Sequence, residues 1–312
     1  MKRNLLTLSA LFCCAFIIMY ILVRGAEPDR IVSDVSRQYN HYRLQTLDTI
    51  AFPGRVSIMR AAADQIYGYV YSQKSVFSYN TTQHHLDTFF NARLKALPII
   101  TRIEIAADEK TFYLFDDTQQ HLTVYTPESK QIDSTGAAGF LTRKGAQLKY
   151  NDSTIHEFTH FNDGGLSADG FFVHNSRYQF FIPFYNAGIV KFDPSNHSVA
   201  TFQTIDQTPP INIAVPTSNY YARSPKAVMV NSTAAADADH LYILSYVLSQ
   251  DAVKSGYRGP AIDVYNIADT KYAGSFRLPG FKDKPVLQLA KCGDTLIAVY
   301  EKDILRFKLA QL

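Results

Sequence analysis

The chain has 312 residues, 46% of them hydrophobic, with 20 Tyr, 21 Phe and no Trp; this suits one large repeat domain or two ordinary ones and excludes a disordered chain. Lys and Arg number 31 against 28 Asp and Glu, a formal net charge of +3, so there is no basic field and nucleic acid is excluded as an expected partner. Only Cys13, Cys14 and Cys292 are present, and with the first two inside an apolar run the folded part cannot build a disulfide framework or a Cys-based zinc site.

Residues 5–23 form 19 consecutive uncharged positions, preceded by Lys2 and Arg3 and closed by Arg24. As a helix they rise about 28 Å, close to the hydrocarbon thickness of a bilayer. The run exceeds the ~7 to 15 residue apolar core of a signal peptide, which favours an uncleaved anchor. A signal peptide cut before Ala26, with Val23 and Gly25 as the small residues, is the alternative. Phe12 before Cys13 is not the small residue that a lipidated Cys requires. Positive charge before the span places the N-terminus inside and the rest outside, a bias that Arg24 weakens. The expected division is a signal-anchor or signal peptide over 1–25, a polar linker over 26–41 with Asp29, Arg30, Asp34, Arg37 and Gln38, and a folded domain over 42–312. The expected location is the cell envelope, anchored in the cytoplasmic membrane with the domain on the outer, periplasmic side, or secreted if the N-terminus is removed.

The folded part repeats a unit seen most plainly at 103–134. It reads as four short strands, 103–106, 111–115, 122–125 and 131–134, separated by breaks rich in Asp, Thr and Pro. This is a meander of the kind that forms a β-propeller blade. Innermost strands are expected at 56–59, 103–106, 170–173, 227–230 and 286–289, short and apolar as buried strands should be. Third strands share an aliphatic residue followed three positions later by Tyr or Phe: Val76 with Tyr79, Leu122 with Tyr125, Ile189 with Phe192, Ile262 with Tyr265 and Ile304 with Phe307. Successive aromatics are 46, 67, 73 and 42 residues apart, which fits blades of ~40 to 45 residues carrying insertions. Fourth strands follow at 85–89, 131–134, 199–203 and 272–278, and the last unit has none. Residues 42–50 supply one, because Leu47-Asp48-Thr49 repeats Leu86-Asp87-Thr88. The N-terminal strand is therefore predicted to complete the C-terminal blade and remove a free edge.

The fold class expected is all-β, a propeller with five clear four-stranded blades, ring closure by the N-terminal strand and one N-terminal hydrophobic helix. Over roughly 42–312 the pattern resembles the six-bladed propellers of the NHL and TolB-like kind, a resemblance that implies an exported protein and six blades. A degenerate sixth blade would have to lie in 135–168 or 204–224, each shorter than one blade, so five and six both stay open.

Strand alternation puts the loop from strand two to three and the loop to the next blade on one face. The long insertions 135–168, 204–224 and 249–260 all fall on it, which makes that face the expected ligand surface. Within it, His156-Glu157-Phe158-Thr159-His160 matches H-E-x-x-H, whose zinc chemistry requires a helix. Thr154, Ile155, Phe158 and Phe161 favour strand, and Asp163-Gly164-Gly165 breaks a helix, so a loop contact is preferred to a metal site. Aromatic and cationic residues cluster on the same face: Tyr185, Tyr220, Tyr221, Arg223, Tyr257 and Arg258, types common among interface anchors. His84, His85, His121, His174, His197 and His240 are read as solvent-facing turn residues. Sequons begin at Asn80, Asn151, Asn196 and Asn231. No phosphate loop, dinucleotide motif or nucleophile elbow occurs. Two readings follow. One is a binding module without cofactor or metal, taking a protein, peptide or glycan on the insertion-bearing face and attached to the membrane through residues 5–23. The other is a propeller enzyme, either a metal-dependent hydrolase centred on His156, Glu157 and His160 or a lyase-like activity in the central channel.

Overall fold

Residues three apart on a strand point to opposite faces, so the aliphatic–aromatic pair of each third strand presents bulk on both sides of one sheet. The computed structural model describes residues 15–16, 19, 30–61, 65–73, 75–90, 100–105, 112–116, 122–125, 133–135, 139–158 and 161–312. In it Val76 and Tyr79, Ile189 and Phe192, Ile262 and Tyr265, and Ile304 and Phe307 are all buried. A sheet that is apolar on both faces needs another sheet against each of them, and a ring of blades meets that need without ends.

The chain begins with β1 (Val32–Ser33) and β2 (Tyr42–Ala51). The first blade is β3 (Val56–Ala61), β4 (Gln65–Val70), β5 (Ser75–Asn80) and β6 (His85–Phe90). The second is β7 (Ile100–Ile105), β8 (Phe112–Asp116), β9 (Leu122–Tyr125) and β10 (Asp133–Thr135). A three-stranded sheet follows, β11 (Leu141–Lys144), β12 (Gln147–Tyr150) and β13 (Ser153–Glu157). The fourth blade is β14 (Gly170–His174), β15 (Gln179–Pro183), β16 (Gly188–Asp193) and β17 (Ser198–Gln203), followed by a hairpin of β18 (Ala214–Pro216) and β19 (Tyr221–Arg223). The fifth is β20 (Asn231–Ala236), β21 (His240–Ser245), β23 (Ala261–Asn266) and β24 (Tyr272–Phe276), with β22 (Leu248–Ser249) and the short helix α1 (Gln250–Lys254) between its second and third strands. The sixth joins β25 (Gln288–Cys292), β26 (Thr295–Tyr300) and β27 (Asp303–Gln311) to β2.

Ring closure is as the sequence predicts: β2 pairs antiparallel with β27 from Tyr42↔Gln311 to Ala51↔Asp303. A bulge between Thr46 and Asp48 leaves Leu47 46% exposed. Asp48 accepts two hydrogen bonds from Arg306, at 2.7 and 2.6 Å. The innermost strands β7, β3, β25, β20 and β14 lie side by side in that order. Gln288 locks two blades by accepting from Ile58 N at 2.7 Å and donating to Ile58 O at 2.8 Å, and Thr233 Oγ1 accepts from Leu289 N at 3.1 Å.

The three-stranded sheet resolves the blade count. Phe140 packs on Tyr113 of the second blade, with ring centroids 5.2 Å apart, and Leu148 is buried against Phe181 and Val190 of the fourth. Its strands match positions two to four of a blade. At the start of β11, Leu141 N donates to Gln179 at the start of β15 (2.6 Å), and Arg143 near its end donates to Asp169, just before β14 (2.9 Å). β12 likewise runs alongside β16, Leu148 against Val190 and Tyr150 against Phe192, the latter rings 4.7 Å apart. The propeller therefore has six sheets, the third with three described strands. Most of 135–168, read as an insertion, is this blade. Tyr150-Asn151-Asp152 is its third-strand ending, and it divides the long interval from Tyr125 to Phe192 into 25 and 42 residues. Gln147 stands where the other copies have an aliphatic residue, so the pair pattern misses it.

Three further expectations are corrected. The inner strand of the fifth blade is β20, not 227–230, because the segment before it turns at Ser224-Pro225, with Ala227 N donating to Ser224 O at 3.0 Å, and spends Val230 N on Phe184 O at 2.7 Å. His240 is not simply solvent-facing: its Nδ1 is 3.7 Å from Asp237, whose other oxygen accepts from Tyr242 at 2.7 Å and lies 3.7 Å from Lys291. Residues 30–41, read as linker, are a packed strap. β1 pairs parallel with β22, Ser275 N donates to Gln38 O at 2.8 Å, and Arg37 inserts into the fifth blade with 1% of its side chain exposed. The apolar run lies outside the described residues except for Ala15, Phe16 and Met19, which are helical.

Candidate functional site

Loops joining second to third strands, and those joining one blade to the next, emerge on one face, called upper here. Its most built part lies between the fourth and fifth blades. The β15–β16 loop is fixed at every residue: Phe184 N donates to Asp169 O at 2.9 Å, Phe184 O accepts from Val230 N at 2.7 Å, and Ala187 N donates to Thr208 O at 2.9 Å. Asn231, fully buried, donates from Nδ2 to Pro183 O and to Asn186 O, both at 3.0 Å. That burial removes Asn231 from the accessible sequons. Tyr185 in this loop is only 2% exposed, which leaves its hydroxyl as the usable end.

The β18–β19 hairpin brings Arg223 to that hydroxyl, where Nη1 donates to Tyr185 Oη at 2.9 Å. Ser224 N donates to Ile213 O at 2.7 Å, fixing the base of the hairpin. Tyr185, Arg223 and the segment 224–229 line an open cleft of about 360 Å³, and Lys226 is its second cation. No carboxylate is among the lining residues. A cleft of this volume falls within the range of small-ligand sites, and a phenol with two cations can hold an anionic group by charge-assisted hydrogen bonds.

Tyr185 and Arg223 are thus brought together. Tyr220 and Tyr221 stand at the hairpin tip, 69% and 47% exposed. Tyr257 and Arg258 do not line the cleft. Tyr257 instead donates to Pro260 O at 2.8 Å, and the Arg277 guanidinium lies 4.0 Å from its ring centroid and 4.5 Å from that of Tyr39. Burial pushes the Tyr257 phenol up from its ordinary pKa. Arg258 is exposed on the same face. Lys226 and its neighbours were missed because 227–230 reads as an inner strand; Ser224-Pro225 was the available signal.

The H-E-x-x-H stretch is a strand where it is described. His156 sits in β13 opposite Leu148 and packs on Phe158, ring centroids 4.7 Å apart, while Gln147 donates to Glu157 at 3.4 Å. His160 lies outside the described residues. A strand at 153–157 does not supply the helical i, i+4 geometry that the zinc reading needs. Among the described residues no group of three or more His, Cys, Asp or Glu could hold a metal ion. Nearby, Gly165 adopts φ 87°, and a Cβ there would fall 2.1 Å from Gly145 C. Arg143 ties the two together by donating to both carbonyls, at 2.8 and 2.9 Å.

These features define the class: a six-bladed β-propeller with one elaborated face. No protein-family model matches the chain, and no curated protein matches it. Among solved structures it is similar to a structural-genomics protein of unknown function from Bacteroides thetaiotaomicron, with 10% identity and a TM-score of 0.47 over 90% of this chain and 74% of that one. It is also similar to a streptogramin B lyase, at 12% identity and TM-score 0.44 over 88% and 100% of the two chains. A third is the WD40 propeller domain of Doa1, at 8% identity and TM-score 0.43 over 85% and 96%.

Proposed function

We propose that this propeller is a binding module rather than an enzyme, held on the outer side of the cytoplasmic membrane by residues 5–23, with the upper face as its ligand face. The observation that carries the reading is the Tyr185–Arg223–Lys226 cleft, which presents two cations and a fixed phenol and no lining carboxylate. Its ligand is an acidic group. Anchoring is supported by the length of the uncharged run and by Lys2 and Arg3 before it. The test is a screen of the full chain, in detergent, against immobilised acidic and neutral peptides, glycans and lipid headgroups. Retention on acidic members only, lost in an Arg223→Ala/Lys226→Ala variant, is the expected result. Retention indifferent to ligand charge or to those two substitutions refutes the site.

A further inference from the structure

We infer that the ligand face is turned towards the membrane and that its occupant is the anionic phospholipid surface. This rests on the anchored reading given above. The strap fixes the orientation. Leu248 N donates to Ile31 O at 2.9 Å, β1 runs along β22, and Arg30 lies over the Tyr246 ring at 5.2 Å. Residues 246–249 belong to the second-to-third-strand connection of the fifth blade, so the chain enters the propeller on its upper face. Only residues 24–29 separate the uncharged run from Arg30, and the seven steps from Val23 to Arg30 reach at most about 25 Å when fully extended. A propeller tied there cannot turn its lower face to the bilayer while Arg37 holds the strap in place.

The surface so presented suits a headgroup layer. Tyr71, Val215, Tyr220, Tyr221 and Leu287, all on upper-face connections, are each at least 40% exposed. Tyrosine is at home at the membrane–water interface, where its ring and hydroxyl meet different surroundings. Around them, the upper-face connections and the strap expose Arg55, Arg223, Lys226, Lys254, Arg258, Arg277, Lys282 and Lys302 against Asp34, Asp251, Asp283 and Glu301, an excess of cations. Cations close to an anionic leaflet are attracted to it, and the effect fades within a Debye length. The hairpin tip is the part that reaches out, and Arg223 at its base leads back to the cleft, so a lipid phosphate is the acidic group the cleft receives.

The absence of Trp supplies the test. Tyr220→Trp and Lys271→Trp, the second in the exposed turn before β24 on the lower face, each make a full chain with one reporter. Both are reconstituted in vesicles of phosphatidylcholine and phosphatidylglycerol, with and without brominated phosphatidylcholine. The expected result is a blue-shifted emission at position 220 that loses most of its intensity to the brominated lipid, while the reporter at 271 loses little. Omitting phosphatidylglycerol should weaken the quenching at 220. Val215→Trp is a second hairpin reporter if Tyr220→Trp misfolds. Vesicle-bound protein with 220 and 215 unquenched overturns the orientation and leaves anchoring standing. Protein that does not float with the vesicles overturns both.

Discussion

Replacing Arg37 by Met tests whether the strap is part of the fold. Arg37 Nε and Nη2 donate to the two oxygens of Asp263 at 2.7 and 2.9 Å, Nη1 donates to Val247 O at 2.8 Å, and Nη2 also reaches Ser245 Oγ at 3.2 Å. Both side chains are 1% exposed. Burial works against the guanidinium charge, but the bonded Asp263 carboxylate outweighs it and raises the Arg37 pKa. Met conserves much of the apolar stem and removes the partner, leaving Asp263 buried with Ser275 Oγ at 2.5 Å as its donor. Breaking a buried pair in this way costs about 3–5 kcal/mol. For a domain of this size 1 kcal/mol lowers Tm by roughly 2–4 °C, so a drop of about 6 °C or more is expected. Thermal unfolding of the full chain in detergent, followed by far-UV circular dichroism, reads it directly. Adding Asp263→Leu should recover part of the loss, because the cost lies in the orphaned charge rather than in the missing pair. An Arg37→Met protein with wild-type Tm, or a double variant no better than the single one, would refute the reasoning.

Other expectations follow from the same geometry. Leu148→Ala removes a fully buried side chain from the face of the third blade that packs on the fourth and should cost about 2–5 kcal/mol in urea unfolding; a change below the error of the midpoint would mean that this sheet is not a packed blade. Gly165→Ala places a methyl group against the Gly145 backbone at positive φ, a strain of about 1–3 kcal/mol, and it should lower Tm where Gly164→Ala, with nothing within 4 Å of its Cβ, is governed by its backbone angle alone. The Asp237 carboxylate, 3.7 Å from its Nδ1, raises the His240 pKa despite burial. Its stabilisation is therefore complete below the unfolded value of about 6.5 and is lost as pH rises through the folded one. Asp237 is affected oppositely: burial would raise its pKa, but bonds from His240 and Tyr242 hold it well below the usual range, so its contribution is lost only in acid. Tm measured against pH should decline on the alkaline side of 6.5 in the wild type and lose that decline in His240→Gln; parallel curves would contradict it.

The sequence alone carried the repeat, because blades are specified by local signals: an aliphatic–aromatic pair in each third strand, turn residues between strands, and a spare N-terminal strand that echoes the fourth strands. Ring closure could be read for the same reason, since Leu47-Asp48-Thr49 is a copy of a pattern present elsewhere in the chain. The strand at His156 was legible from its β-branched and aromatic neighbours. The third blade was not, because Gln147 breaks the pair and its packing depends on Phe181 and Val190 in a different blade. The strap was hidden by its own composition: Arg37 looks like a linker residue until Asp263, 226 positions away, supplies the charge that lets it be buried. The cleft has the same origin, for Tyr185 and Arg223 are 38 residues apart and meet only because one sits in a clamped loop and the other on a hairpin folded back over it. Periodicity along the chain fixes which elements form; which side chains meet depends on charge and shape brought together from distant positions, and only the tertiary structure decides that.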